Sequence, residues 1–289
     1  MQIVTDSGTD LALSPEQRDA MGIHVVPLVV TLDGESYREG LDIEPDRFYT
    51  LLAATDSLPT TSQPSAGDFA AVYRMIAATD PDILSIHMSS GLSGTYEAAQ
   101  GGAQMVPEAT VTHVDTKTLS AASGWQVEAA ARAAKAGWSK DRILELIEGI
   151  GAATDSIYTL KDLTYLIHGG RISHMKGLVA SLLNIKPLIG VEKENGTYVQ
   201  LGQARTFKRA VERLAEHMLE QHAEGSALRV QVLHSHNPQG ATMLYDEVDR
   251  RFDCTWRPIG SISLVLGAHT GPTMVGVAYA PAAAFTEVP

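Results

Sequence analysis

Three serines, a threonine and two glycines crowd into Ser89-Ser90-Gly91-Leu92-Ser93-Gly94-Thr95-Tyr96. An apolar run over residues 83–88 precedes the segment and Glu97-Ala98-Ala99-Gln100 follows it, which predicts a strand turning into a helix. Glycines at such a turn allow close backbone approach. A helix start leaves N–H groups unpaired, with the positive end of the dipole behind them. With hydroxyl donors added, the segment has the chemistry to hold a small anionic group, a carboxylate or a phosphate.

Other stretches carry weaker signals of the same kind. Thr60-Thr61-Ser62-Gln63-Pro64-Ser65 is a hydroxyl-rich loop ahead of a capped helix, readable as an ordinary turn and N-cap. His269 stands in Leu266-Gly267-Ala268-His269-Thr270-Gly271-Pro272, where the flanking glycines predict a loop position set by backbone freedom. Asp6-Ser7-Gly8-Thr9-Asp10 ends a strand and either lines the same crevice or caps the next helix. Arg171 follows two glycines in Gly169-Gly170-Arg171-Ile172-Ser173, a pattern equally compatible with a structural role. His234-Ser235-His236 sits at the end of a predicted strand and is weak as a metal pair. Neither it nor the remaining histidines has zinc-ligand spacing.

The elements that must position these residues alternate in the first half. Strands are predicted over 2–5, 23–32, 83–88 and 110–114, with helices opening at Ser14-Pro15-Glu16-Gln17, over 45–54 and at Ser65-Ala66-Gly67-Asp68. Asp33-Gly34 supplies a turn into 35–38. Alanine-rich helices are expected after the strands over 83–88 and 110–114. This alternation predicts an α/β layer with a mostly parallel sheet, where ligands bind beyond the carboxyl ends of strands. Composition changes near Gly149-Ile150-Gly151, placing a boundary near 150–156 and two domains at 1–153 and 154–289. The second half reads as α/β of the α+β kind: a strand over 156–160, an apolar helix around 178–183, and a hairpin over 185–203 about Glu194-Asn195-Gly196. A long helix over 207–222 and a strand over 228–234 follow.

The totals exclude several classes. The 289 residues are 44% hydrophobic and 19% charged, enough for a core, and the net charge of −12 argues against nucleic acid and anionic membranes as partners. Basic residues nevertheless gather between Lys161 and Arg213. Cys254 is the single cysteine, so no intramolecular disulfide forms and a reducing cytoplasm is expected. No signal peptide and no apolar run of bilayer-spanning length is visible.

Taken together, the segments resemble the DegV family, whose characterised members are bacterial fatty-acid-binding proteins of the FakB type. The matching pieces, in the family's order, begin with Val4-Thr5-Asp6-Ser7, Thr61-Ser62-Gln63-Pro64-Ser65 and the segment from Ser89 to Tyr96. Val114-Asp115-Thr116-Lys117, Gly169-Gly170-Arg171-Ile172-Ser173, Lys186-Pro187-Leu188-Ile189 and Gly267-Ala268-His269-Thr270-Gly271-Pro272 complete the set. The resemblance implies two α/β domains burying one long-chain fatty acid between them, no catalysis by the chain itself and no cofactor. It implies that the acyl carboxylate is presented to a dihydroxyacetone-kinase-like, ATP-dependent fatty acid kinase, whose acyl phosphate feeds phospholipid synthesis. Thr61, Ser62, Ser93, Gly94 and His269 would hold the carboxylate, and Arg171 and Arg205 would engage the kinase. The sequence departs from the family where Thr273 and Met274 follow Pro272 in place of the usual glycine, which restricts the backbone of that loop.

The chemistry is coherent. Burying an acyl tail contributes about 0.8 kcal/mol per methylene, on the order of 10 kcal/mol before the costs of binding. Apolar residues suited to a tail include Ile167, Ile172, Leu178, Val179, Leu182, Leu183, Ile185, Leu188 and Ile189. A buried carboxylate needs partners, and the Thr61 and Ser93 hydroxyls, the Ser62 and Gly94 N–H groups and the His269 ring could share its charge. Two rival readings stand beside the carrier. A serine hydrolase would use Ser93 as nucleophile and His269 as base, although Gly91-Leu92-Ser93-Gly94-Thr95 lacks the nucleophile-elbow pattern. A lipid-sensing regulatory protein would share the pocket without the kinase.

Overall fold

The computed structural model describes residues 1–175 and 185–289. Its first half runs β1 (Gln2–Asp6), α1 (Pro15–Ala20), β2 (Ile23–Val26), β3 (Val29–Leu32), β4 (Glu35–Arg38), α2 (Pro45–Ala53), β5 (Thr60–Ser62) and α3 (Ala66–Ala77). β6 (Asp82–His87), α4 (Thr95–Gln104), β7 (Thr110–Asp115), α5 (Ser120–Lys135) and α6 (Lys140–Ala153) follow. The predicted starts hold locally: Ser14 and Ser65 each close a capping box, with Gln17 and Asp68 reaching back to the cap. Asp33 and Gly34 both take positive φ, the geometry of a two-residue hairpin turn between β3 and β4.

β2, β1, β6 and β7 lie side by side in that order, all parallel. The order reverses direction between β1 and β6, which makes the carboxyl ends of those strands the place for a ligand. The expected single strand over 23–32 is two. Pro27 lacks the N–H a sheet interior needs, so β2 ends at Val26, and β3 joins an antiparallel sheet ordered β4-β3-β5.

The second half contributes β8 (Asp155–Thr159), α7 (Thr164–His168), a 3-10 turn (Arg171–His174), β9 (Lys186–Val191), β10 (Tyr198–Ala204) and α8 (Phe207–Gln221). Then come β11 (Ala227–His234), α9 (Pro238–Asp249), β12 (Asp253–Trp256), β13 (Gly260–Ser261), α10 (Leu264–Thr270), β14 (Val275–Pro281) and a closing 3-10 turn (Ala282–Phe285). Its strands form a mixed sheet ordered β10-β9-β8-β14-β11-β12, with β13 alongside β11. Gly149-Ile150-Gly151, read from composition as a boundary, lies inside α6, and the chain passes through Thr154 directly into β8. The apolar helix expected around 178–183, with Lys176, Leu178, Val179, Leu182 and Leu183, falls outside the described residues.

α5 explains how the two large sheets share a core. Its residues are small and mostly buried, and the helix packs against both β1 and β14. One cluster of buried apolar side chains consequently runs from Ile3 and Ile86 through Trp125 to Tyr158 and Met274. A second link comes from α10, whose Leu264 and Ala268 pack among Val30, Phe48 and Tyr49 of the small sheet and α2.

Candidate functional site

The segment leaving β6 turns from strand into helix, as its flanking pattern predicts. Ser93 Oγ lies 2.8 Å from Thr95 Oγ1 and accepts from the Thr95 N–H, and Gly94 caps α4 without a side chain. Ser89 Oγ donates to the Gly196 carbonyl at 2.8 Å, fastening the turn to the tip of the β9–β10 hairpin and bringing Tyr198 close. Between these elements, β5 and α10, lies a small cavity of about 40 Å³. Thr61, Ser62, Gln63, Ser93, Arg171 and His269 give it polar walls, and Leu28, Met88, Leu92, Val265 and Leu266 give it apolar ones.

Thr61, Ser62, Ser93 and His269, named from sequence for one carboxylate, therefore share one cavity, although they come from three separate segments. Gly94 stands behind the wall: a Cβ there would lie 2.6 Å from the Gln63 amide nitrogen, so the glycine lets Gln63 reach the cavity. Arg171 is half-buried on the wall and donates to the Gly169 carbonyl at 2.6 Å, whereas Arg205 is exposed beyond the end of β10 and does not line the cavity. Gln63 and Tyr198 belong to the site without having been singled out. Gln63 was legible only as part of its motif, and Tyr198 reaches the cavity through hairpin docking that no local pattern signals.

His269 is not on a loop. It occupies the last turn of α10, and Gly271 ends that helix at φ 70°. The helix is held at its start by the first half of the chain. Asp10 accepts from the Ser263 N–H at 2.8 Å, and Glu39 accepts from the Leu264 N–H and, at 2.7 Å, from Ser7 Oγ. So Asp6-Ser7-Gly8-Thr9-Asp10 supports the helix that carries His269 and does not line the cavity. Burial pushes Glu39 up to about 7 and Asp10 well above its ordinary value. Burial, and then the positive Arg171, hold His269 down to about 4, so the ring is neutral near pH 7.

The neutral ring has a specific environment. Nε2 lies 2.8 Å from Thr61 Oγ1, and Nδ1 is buried with no hydrogen-bond partner among the described residues. A Cβ on Gly169 would sit 2.0 Å from Nδ1, so only glycine leaves the ring its place. Among the described residues no hydrogen bond joins Ser93 to His269 and no carboxylate pairs with Nδ1, so the nucleophile–base and base–orienter contacts of a serine hydrolase are not formed there.

An Asp–His–Ser chain does exist elsewhere. Asp6 Oδ2 lies 2.9 Å from His87 Nδ1, His87 Nε2 lies 2.6 Å from Ser85 Oγ, and Ser85 Oγ lies 2.7 Å from Tyr73 Oη. All four side chains are fully buried. His234 is the last residue of β11 and His236 lies beyond the strand, so the two do not form a pair on one sheet face. His236 is exposed and stacks on Tyr49 at 5.0 Å. Among the described residues no group of three or more His, Cys, Asp or Glu is placed to hold a metal, and no helix is long and apolar enough to cross a membrane.

Thr273, the departure from the family pattern, keeps negative φ and accepts from the Lys161 N–H at 3.0 Å, tying the loop after α10 to the end of β8. Two further voids adjoin the cavity. An inner one of about 20 Å³ shares Tyr198 and Leu266 with it. A crevice of about 540 Å³ between the end of β7, α6 and β9 shares Ser156 with the inner void. That crevice has an ionic rim of Asp115, Lys117, Glu148 and Lys193 over apolar Val114, Leu144, Ile147 and Val191.

Comparison with known proteins gives a consistent result. The model of the DegV family, described as uncharacterised proteins, matches residues 1–282. A DegV domain-containing protein of Lactococcus lactis, YejH, is 36% identical over 278 residues, covering 94% of this chain and 96% of that one. Another from Deinococcus radiodurans is 33% identical over 281 residues, covering 97% and 96%. Among solved structures, a fatty-acid-binding DegV family protein of Thermus thermophilus superposes with a TM-score of 0.85 at 31% identity, covering 97% of this chain and 99% of that one. DegV of Bacillus subtilis, a fatty acid binding protein, gives 0.84 at 29%, covering 96% and 98%.

Proposed function

The chain belongs to the DegV family, and we propose that it binds a long-chain fatty acid and holds its carboxylate for phosphorylation by a separate ATP-dependent acyl kinase of the FakB system. The observation that carries this reading is the convergence of Thr61, Ser62, Ser93 and neutral His269 on one small cavity with an apolar inner wall. The likeness to fatty-acid-binding relatives at about one-third identity supports it. A carboxylate in that cavity takes hydrogen bonds from the Thr61 and Ser93 hydroxyls and the Ser62 N–H. His269 in its Nε2–H tautomer donates to Thr61 or to the ligand. The tail runs inward past Tyr198 and Leu266, alongside the inner void, toward the crevice at Ser156. A long acyl chain exceeds the two small voids together, so binding shifts side chains along this path.

In this reading the chain divides into domains 1–153 and 154–289, with the carboxylate between them. Arg171, half-buried on the cavity wall, and Arg205, exposed beyond β10, face the kinase in this reading. The product is an acyl phosphate, and the chain supplies binding and orientation only.

The test is native mass spectrometry of the purified protein, followed by organic extraction and identification of the lipid. One fatty acid per chain is expected. Ser93→Ala and His269→Ala should each weaken retention roughly tenfold, the scale of one lost hydrogen bond to a charged group. Arg171→Ala should keep its lipid and lose phosphorylation by the kinase. A protein that neither carries nor takes up fatty acid overturns the reading.

A further inference from the structure

The inner void lies in an apolar region yet is lined by hydroxyls: Ser120, Ser156, Tyr158, Tyr198 and Thr270 all border it, beside Leu266. Two of these have their protons engaged elsewhere. Ser120 Oγ donates to Asp10 Oδ2 at 2.5 Å and Thr270 Oγ1 to the Leu266 carbonyl at 3.0 Å, so each offers the void only lone pairs. Tyr158 is the opposite case. Its Oη is buried without a hydrogen-bond partner among the described residues, although its ring meets that of Tyr198 at 5.6 Å. A buried donor left unpaired is costly, and such a group requires an explanation. At about 20 Å³ the void takes one oxygen-sized group.

We propose that this void reads an oxygen carried on the acyl chain, so that the ligand class extends to hydroxy fatty acids, with Tyr158 as the specificity-determining residue. The inference rests on the fatty-acid reading above, because the void borders the tail's path only if the carboxylate occupies the outer cavity. A hydroxyl fits better than a carbonyl oxygen. It accepts from Tyr158 Oη and donates to the lone pairs of Ser120 or Thr270, whereas a ketone leaves those lone pairs unanswered. A water molecule fills the same place when the chain bound there is unsubstituted.

The experiment is competition binding of stearic acid against the positional isomers of hydroxystearic acid, on the full chain and on Tyr158→Phe. At least one isomer should bind the unaltered protein roughly tenfold tighter than stearic acid, the scale of one added hydrogen bond. Tyr158→Phe should bring that ratio close to one by weakening the preferred isomer. Its melting temperature should not fall, since the phenol leaves no partner behind. Stearic acid outcompeting every isomer overturns the inference, as does a preference that survives in Tyr158→Phe. Failure to bind any of these acids overturns the fatty-acid reading as well and is distinguishable from both.

Discussion

Two neighbourhoods of this chain pair a serine with a histidine, and they differ in what surrounds the ring. Around His87 every polar atom is engaged, from Asp6 through Ser85 to Tyr73, and all are sealed from solvent. Around His269 one nitrogen meets Thr61 and the other meets nothing, on the wall of a cavity. The arrangement with the parts of a hydrolytic relay has no access, and the arrangement with access lacks the relay. A fully satisfied buried network rigidifies the sheet that carries the site. An unsatisfied, uncharged ring at a cavity is equipped for a ligand that brings its own charge.

The sharpest way to break this contrast is to remove each ring. His87→Ala strips partners from Asp6 and Ser85 and opens a hole against Phe69, whose ring meets His87 edge-on at 5.1 Å. It should cost about 3 kcal/mol or more of stability, read as a lowered denaturation midpoint with an unchanged slope. His269→Ala removes one unpartnered nitrogen and a single hydrogen bond to Thr61, and its cost should be about 1 kcal/mol, with the effect appearing in lipid retention. Equal losses of stability in the two variants would end the distinction between a structural and a ligand-facing histidine.

A smaller change sharpens the same point. Gly169→Ala drives a methyl group toward His269 Nδ1, and the ring must yield its Thr61 hydrogen bond. Fatty acid affinity should fall roughly tenfold. In a His269→Ala background the same substitution should cost almost nothing, because the two act through one contact. Additive losses in that cycle would show that Gly169 acts through the backbone of the Arg171 turn instead.

The parts legible in the sequence were those fixed by local chemistry. Capping boxes at Ser14 and Ser65, the Asp33-Gly34 turn and the hydroxyl-rich turn after β6 each follow from residues within a few positions of one another. Pro27 signalled the break between β2 and β3, but the apolar run around it masked the signal. His269 was misjudged as a loop residue because Gly267 reads as a helix breaker. In the fold that glycine lies inside α10 against Tyr49, where a Cβ would lie 2.2 Å from the phenol oxygen. Tertiary packing there outweighs the helix propensity of glycine. The carboxylates that seat α10, Asp10 and Glu39, act across 253 and 225 residues of chain, a relation no local pattern carries.

Those carboxylates also join the two histidine neighbourhoods, since Asp6 of the sealed network faces both Asp10 and Glu39 and raises each. Glu39, pushed up to about 7 chiefly by burial, is harder to ionise folded than unfolded. Its stabilising contribution is therefore fully present below about pH 4.5 and is lost as pH rises through about 7. His269, held down to about 4, runs the other way: its contribution is present above about pH 6.5 and is lost as pH falls toward 4. Glu39→Gln keeps an acceptor for the Leu264 N–H and cannot ionise. The variant's melting temperature minus that of the unaltered chain should therefore increase between about pH 5 and about pH 8. The increase should be a few degrees, the scale of 1 kcal/mol in a chain of this size. A difference that stays constant or shrinks over that interval would mean that Glu39 ionises as freely in the fold as outside it. The seat of α10 would then be electrostatically independent of the sealed network beneath it.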